Sequence, residues 1–299
     1  MEKVKKILLV LIVLALIVAI GWISVNFVMS KTDNKQNPIV TMDVDGYGTI
    51  KIELYPDMAP NTVKNFVRLA QRGYYNDKTF TDVEKGFIRG GLTETANSDG
   101  TTTQNGPKLS NLRDLADGEK DQDYSIKGEF IENGFNQNTL SHQRGVISMY
   151  RKSYSDYEED MLMVQKMGYE SYAETLVTEL YNSQSAGFFI VTDDEQGFDG
   201  SYSAFGKVIE GMDVVDKISQ VELQKSTGSD GTETTTTKPV TAPVIKNVSV
   251  ETFGVDYGMP ETAEFFDFDS IFSWFMQSYM QQQNQSSGTN LTGPGTSGE

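Results

Sequence analysis

The stretch IVTMDV (Ile39–Val44), the turn Gly46-Tyr47-Gly48 and the alternation Ile50, Ile52, Leu54 read as one hairpin. Apolar and polar residues alternate with period two on both sides of a glycine-bearing turn, which leaves a single face to bury. Ala59-Pro60-Asn61-Thr62 then opens a helix, with Pro60 near its first position, where a missing N–H costs nothing. Val63, Phe66, Val67 and Ala70 form one apolar stripe on that helix, and Gly73 ends it. Working outward, short strand-like runs recur at Thr79–Val83, Gly86–Arg89, Gly145–Met149, Gly187–Val191 and Phe205–Val208. Glu210–Ile218 reads as a second short helix, and Val244, Val248 and Val250 as a final strand. Lys225–Ala242, rich in Thr, Gly and Ser, reads as a flexible loop. The pattern predicts a mainly β chain with some α: a closed barrel capped by helices.

The composition narrows the chemistry. The 299 residues hold 42 acidic and 25 basic side chains, a net charge of −17. Lys3, Lys5, Lys6 and Lys31 lie before the body of the chain, which is more acidic still, so no nucleic acid is expected as a partner. No cysteine is present, which excludes disulfides, thiolate chemistry and cysteine zinc sites. A single histidine, His142, rules out a multi-histidine metal site and argues against a serine–histidine hydrolase. No metal and no cofactor is expected.

Ahead of the hairpin, Met1–Lys6 is short and basic, and Ile7–Ile23 is almost uninterrupted aliphatic sequence. About 20 such residues cross a bilayer as a helix. Residues 1–30 are therefore expected to be an N-terminal transmembrane anchor. The preceding lysines would stay in the cytoplasm, leaving everything after a linker at 31–37 extracytoplasmic. A cleaved signal peptide, with Val28 and Ser30 as a poor cleavage site, is the alternative and would give a secreted chain.

Six pieces of the body, in order, resemble the cyclophilin-type peptidyl-prolyl isomerases. They are Ala59–Phe66; Gly73-Tyr74-Tyr75 with Phe80 and Gly86–Gly91; Ile126–Phe130; His142 with Arg144–Met149; Phe188-Phe189-Ile190; and Ala204–Val208 with Gly211-Met212. The resemblance runs from about Ile39 to Thr252 and implies an eight-stranded barrel with two capping helices over residues 38–254. It also implies a function: rotation of X–Pro peptide bonds, assisting the folding of exported proteins, with proline-containing segments of unfolded or exported proteins as substrate.

That reaction must break amide resonance, a barrier of about 18–20 kcal/mol. It needs an apolar pocket for the proline ring and a fixed donor that favours the twisted amide over either planar form. By resemblance Phe80, Phe87, Ile88, Met149, Phe189 and Phe198 fall on substrate-contacting positions, and Tyr202 stands where a histidine is usual. The polar half departs from the family. Its catalytic arginine is replaced by Asp82, the histidine before it by Thr81, a groove glutamine by Arg89, and another by Gly187. An ionised carboxylate cannot donate a hydrogen bond, so Asp82 cannot take over the arginine's role. Two readings stand open. Arg89 serves as a compensating cation oriented by Asp82, a charge-swapped site. Alternatively Asp82 and Arg89 form an ordinary cross-strand pair, and the domain binds proline peptides or acts as a holdase without turning them over. Arg151 is a weaker candidate cation. His142, in a turn before a strand, reads as structural, with no base or ligand partner in view.

Two additions lie outside the resemblance. Residues 153–181 form an insertion with two helical stretches broken near Gly168, in which Tyr172, Leu176, Val177 and Leu180 share a face. It would cover the groove as a lid or pack as a surface insertion. Within 255–280, Phe265, Phe268, Phe272, Phe275 and Tyr279 make an aromatic stripe that would dock on the barrel, meet a membrane surface or bind a partner protein through 260–280. Residues 281–299 are polar and Gly/Ser/Thr-rich and are expected to be disordered.

Overall fold

The computed structural model describes residues 36–96, 102–228, 231–264 and 268–288. Eight strands close into an antiparallel barrel. They are β1 (Ile39–Val44), β2 (Gly48–Leu54), β3 (Lys78–Glu84), β4 (Phe87–Gly90), β8 (Val146–Met149), β9 (Phe188–Val191), β10 (Ser203–Glu210) and β13 (Val244–Glu251). Their order around the wall is β1-β13-β3-β4-β9-β8-β10-β2. Three small ribbons hang from it: β5 (Thr93–Ala96) with β6 (Thr102–Asn105), β7 (Tyr124–Ser125) with β14 (Ala263–Glu264), and β11 (Leu223–Thr227) with β12 (Glu233–Pro239).

Strand alternation fills the inside. Val40 and Met42 of β1 lie opposite Ile52 and Ile50 of β2, and with Val44 and Leu54 they are all at 3 % exposure or less. Helix Pro60–Gln71 buries Val63, Phe66, Val67 and Ala70 against this core, and helix Met212–Ser219 buries Val214, Val215 and Ile218. The first helix has no side-chain cap of its own. Glu129, 68 and 67 positions further on, accepts hydrogen bonds from the backbone N–H groups of Asn61 and Thr62 at 2.9 and 2.8 Å. A carboxylate there satisfies two orphan donors and complements the positive end of the helix dipole.

Several expectations need correcting. Lys225–Ala242 is no loop: β11 and β12 pair across most of it. The second helix does not begin at Glu210, which is still strand; it follows Gly211, whose φ of +87° and close approach to the Thr49 carbonyl admit only glycine. The tail is helical as far as Gly288, within helix Phe268–Gly288, instead of being disordered from residue 281. The expected anchor at 1–30, most of the linker, Phe265 and residues 289–299 lie outside the described residues. Among the described residues, no helix is long and apolar enough to cross a membrane.

The insertion is a helix pair, Glu158–Lys166 and Glu170–Tyr181, with Gly168 at φ +85° between them. Its core is its own. Met161, Val164, Ala173, Leu176 and Leu180 cluster with Phe275, and Tyr172, Val177, Ile271, Phe272 and Met276 pack around them. The aromatic stripe of the C-terminal helix therefore docks on the insertion, not on the barrel. Phe275 stacks on Tyr172 with centroids 4.9 Å apart and meets Tyr169 edge-on at 5.1 Å.

Candidate functional site

One row of residues crosses four strand boundaries on the outer face of the barrel. Asp82 lies opposite Arg89, Arg89 opposite Phe189, Phe189 opposite Ser148, and Ser148 opposite Ala204. The row has an ionic half and an aromatic half.

In the aromatic half, Phe189 contacts Phe87, Phe198 and Tyr202 at centroid distances of 5.3, 5.5 and 5.2 Å. Phe87, Phe198 and Tyr202 stay partly exposed and form a shallow apolar wall over the buried Phe189. The structure divides the residues expected to touch proline. Phe87, Phe189, Phe198 and Tyr202 come together on this face. Phe80, Ile88 and Met149 belong to the barrel core and are fully buried. The reason is parity. Ile88 pairs with Ile190, and Ile190 with Ile147, in one inward row. Phe80, Gly90, Phe188 and Met149 make the next inward row, where a Cβ on Gly90 would come within 2.8 Å of the Thr79 carbonyl oxygen.

The ionic half is built on Asp82 and Arg89. Arg89 donates from Nε to Asp82 Oδ2 at 3.1 Å, and its Nη2 lies 2.6 Å from the same oxygen. Its guanidinium lies over the Tyr150 ring, 4.2 Å from the centroid. The other carboxylate oxygen, Oδ1, accepts from Thr237 Oγ1 at 2.9 Å and meets Lys238 Nζ at 3.0 Å. Burial works to raise the Asp82 carboxyl, but the pull of Arg89, Lys238 and Thr237 outweighs it and holds the group below its ordinary value. Burial likewise works against the Arg89 charge, and Tyr150 and Asp82 overcome it. Both groups are therefore ionised at neutral pH. Arg89 is 9 % exposed and Asp82 1 %. This is a buried, geometrically fixed pair and not a solvated surface bridge, the case in which truncating one partner has large consequences.

Arg151 is also buried. Its guanidinium lies over Tyr202 at 4.6 Å, Tyr181 at 5.0 Å and Phe130 at 5.5 Å, and it donates to the carbonyls of Ser201 and Lys152. It thus bridges the insertion helix to the aromatic wall. Neither candidate cation faces bulk solvent. Gly187 leaves room here: a Cβ would approach Leu92 at 2.9 Å and Tyr150 at 3.3 Å, so these two side chains fill the space a longer residue would need.

His142 has partners that its sequence neighbours did not disclose. Nδ1 lies 2.9 Å from Asp199 Oδ1 and Nε2 2.7 Å from Ser148 Oγ. A carboxylate only accepts, so Nδ1 carries the proton and Nε2 accepts from the serine hydroxyl. The order serine–histidine–aspartate is that of a nucleophilic triad, but Ser148 is 0 % exposed and no substrate carbonyl can reach it. The chain acts as a strut, with the imidazole stacked beneath Phe189 at 6.0 Å and 15°. Burial lowers the His142 pKa and Asp199 only partly opposes this. The unfolded chain therefore binds this proton more readily than the folded one. His142 contributes stability in full above its ordinary value of about 6.5, and that contribution is lost as pH falls below it. Denaturant midpoints are expected to drop between pH 7.5 and pH 5, and His142→Gln to flatten the slope; an unchanged slope would remove the strut from the account.

Comparison with known proteins agrees with this architecture. The family description "Cyclophilin type peptidyl-prolyl cis-trans isomerase/CLD" matches residues 39–162 and 153–250. A peptidyl-prolyl cis-trans isomerase of Acinetobacter baylyi is 31% identical over 191 residues, 62% of this chain and 73% of that protein. Peptidyl-prolyl cis-trans isomerase B of Escherichia coli is 29% identical over 189 residues, 60% of this chain and 84% of that protein. Peptidyl-prolyl cis-trans isomerase-like 2 of Rhizopus delemar is 28% identical over 184 residues, 61% of this chain, which spans 25% of that longer protein. With the family match running through every barrel strand and across the Asp82–Arg89–Phe189 row, the chain belongs to the cyclophilin-type peptidyl-prolyl cis-trans isomerases.

Proposed function

We propose that this chain isomerises X–Pro bonds with Arg89 in place of the arginine that Asp82 displaces. The observation that carries this reading is the position of the Arg89 guanidinium. It is held on one edge by Asp82 and on one face by Tyr150, on a residue whose backbone pairs across the strands with Phe189 of the aromatic wall. A proline ring seated on Phe87, Phe189, Phe198 and Tyr202 would place its amide beside that cation. As the C–N bond twists, the nitrogen regains a lone pair. A fixed donor next to it stabilises the twisted state more than either planar one, and a proline seated on the aromatic wall would displace water and strengthen the interaction. No proton is transferred and no nucleophile is consumed.

The test is exchange spectroscopy of a proline-containing peptide with the full chain: cis–trans interconversion is expected to accelerate at catalytic protein concentrations. Binding without acceleration would support the second reading, a proline-peptide binding module. That reading is favoured by one observation, the small exposure of Arg89 beneath Tyr150.

The basic Met1–Lys6 and apolar Ile7–Ile23 segments support a further part of the reading: a membrane-anchored protein whose isomerase domain lies outside the cytoplasm. Proline-containing segments of exported proteins would then be its substrates. Release of the chain by carbonate washing of membranes would overturn the anchor.

A further inference from the structure

Among the described residues, the hairpin β11–β12 contributes two side chains to the ionic half of the row although it is remote in sequence; Thr237 lies 155 positions from Asp82. The hairpin is braced for this. Gln224 Nε2 donates to the Pro239 carbonyl at 2.9 Å, Thr236 Oγ1 to the Gln224 carbonyl at 3.0 Å, and the Lys238 N–H to Thr236 Oγ1 at 3.2 Å. The Val240 N–H closes its base on the Glu222 carbonyl at 2.8 Å. Lys238 is thereby delivered to Asp82 Oδ1 and, with its remaining capacity, to Glu94 on β5, which also accepts from Gln104 on β6 at 3.2 Å. The side chain keeps 30 % exposure along a cleft of about 380 Å³ lined also by Thr81, Thr93 and Pro239.

We propose that Lys238 is a positioning residue for the isomerase site, acting on the substrate through Asp82 and Arg89. This rests on Arg89 being the stabilising cation. Arg89 and Lys238 are tied to Asp82 and Glu94 in one linked cluster, and Glu84 also acts on Arg89. With Lys238 in place, Oδ1 is occupied and Oδ2 is left to Arg89, so the carboxylate orients the guanidinium while its negative charge is shared. Without Lys238 the carboxylates outnumber the cations by one more in a poorly solvated place. Asp82, then held at Oδ1 by Thr237 alone, offsets Arg89 more fully and weakens the field at the substrate amide.

The experiment compares kcat and KM of the full-length Lys238→Met, Lys238→Arg and Arg89→Ala variants with those of the parent chain. Lys238→Met is expected to lower kcat about tenfold with KM within about twofold, and Lys238→Arg to restore most of the rate, since a charge near Oδ1 is what is needed. In parallel, the Arg89 Nε–H proton is expected to exchange with water faster in Lys238→Met than in the parent, a change that loss of hairpin structure alone would not confine to this group. If Lys238→Met loses its fold, Lys238→Gln, which keeps a donor for Oδ1 without the charge, is measured against the same threshold. An unchanged kcat in the lysine variants beside an inactive Arg89→Ala overturns this inference alone. Full activity in Arg89→Ala, or none in the parent chain, overturns the reading beneath it.

Discussion

Replacing Arg89 with alanine is expected to cut kcat/KM for cis–trans interconversion by about 10²–10³-fold, the usual consequence of removing a preorganised donor from a transition state. The barrel should survive. Asp82 would lose Arg89 but keep Lys238 at 3.0 Å and Thr237 at 2.9 Å, so its carboxylate is not stranded. Breaking a buried pair costs about 3–5 kcal/mol when the remaining charge is bare, and here the cost should fall below that range. Arg89→Lys separates charge from geometry. It keeps the cation but gives up both the two-nitrogen grip on Oδ2 and the flat stacking on Tyr150, so it should recover only part of the rate. Peptide exchange rates and far-ultraviolet circular dichroism on the same samples decide the matter. A native spectrum with an undiminished rate would take Arg89 out of the chemistry.

The second large effect lies away from the groove. Phe275→Ala removes the side chain on which Tyr172 stacks and which Tyr169 meets edge-on, in a cluster that shares no buried residue with the barrel core. Truncating a buried phenylalanine costs about 3–5 kcal/mol. The cluster is three helices with few buried side chains, and a loss of that size should open it locally. Amide protection is expected to disappear from residues 158–181 and 268–283 while the barrel strands retain theirs, as read by hydrogen exchange. Arg151, held between Tyr181 of the insertion and Tyr202 of the wall, would transmit part of the change to the groove. Uniform loss of protection across β1, β2 and β13 would mean that the helical cluster and the barrel fold as one unit.

Much of the barrel was legible because its signals are local. The period-two alternation of Ile39–Leu54, the proline-opened helix and the short apolar runs each specify an element within about ten residues. Where the reading went astray, the deciding interaction was remote. Thr-rich Lys225–Ala242 carries no apolar alternation, and its strands exist because they pair with each other and because Thr237 and Lys238 are tied to Asp82. The polar run from Gln281 was expected to be disordered but continues as helix for two turns, extending a segment that Phe275 anchors on the insertion.

The candidate site shows the same division. The resemblance identified Asp82, Arg89, Phe87 and Phe189 from their order in the chain, and their residue types alone raised the idea of a swapped charge. It also placed Phe80, Ile88 and Met149 on substrate-contacting positions, and these three lie buried in the barrel core. Successive residues of a strand face opposite ways, so Ile88 points inward where Phe87 and Arg89 point outward. Register then decided that Arg89 adjoins Phe189 while Ile88 enters the core. The pairing of His142 with Asp199 and the arrival of Lys238 at Asp82 needed chain closure over tens of residues to more than a hundred.

Patterning and composition are properties of the chain, and they were enough to establish a barrel of short strands capped by helices. What sets Arg89 opposite Phe189, and Arg151 over Tyr202, appears only in the folded chain. That depends on strand register and on contacts between distant segments, which no local run of residues encodes.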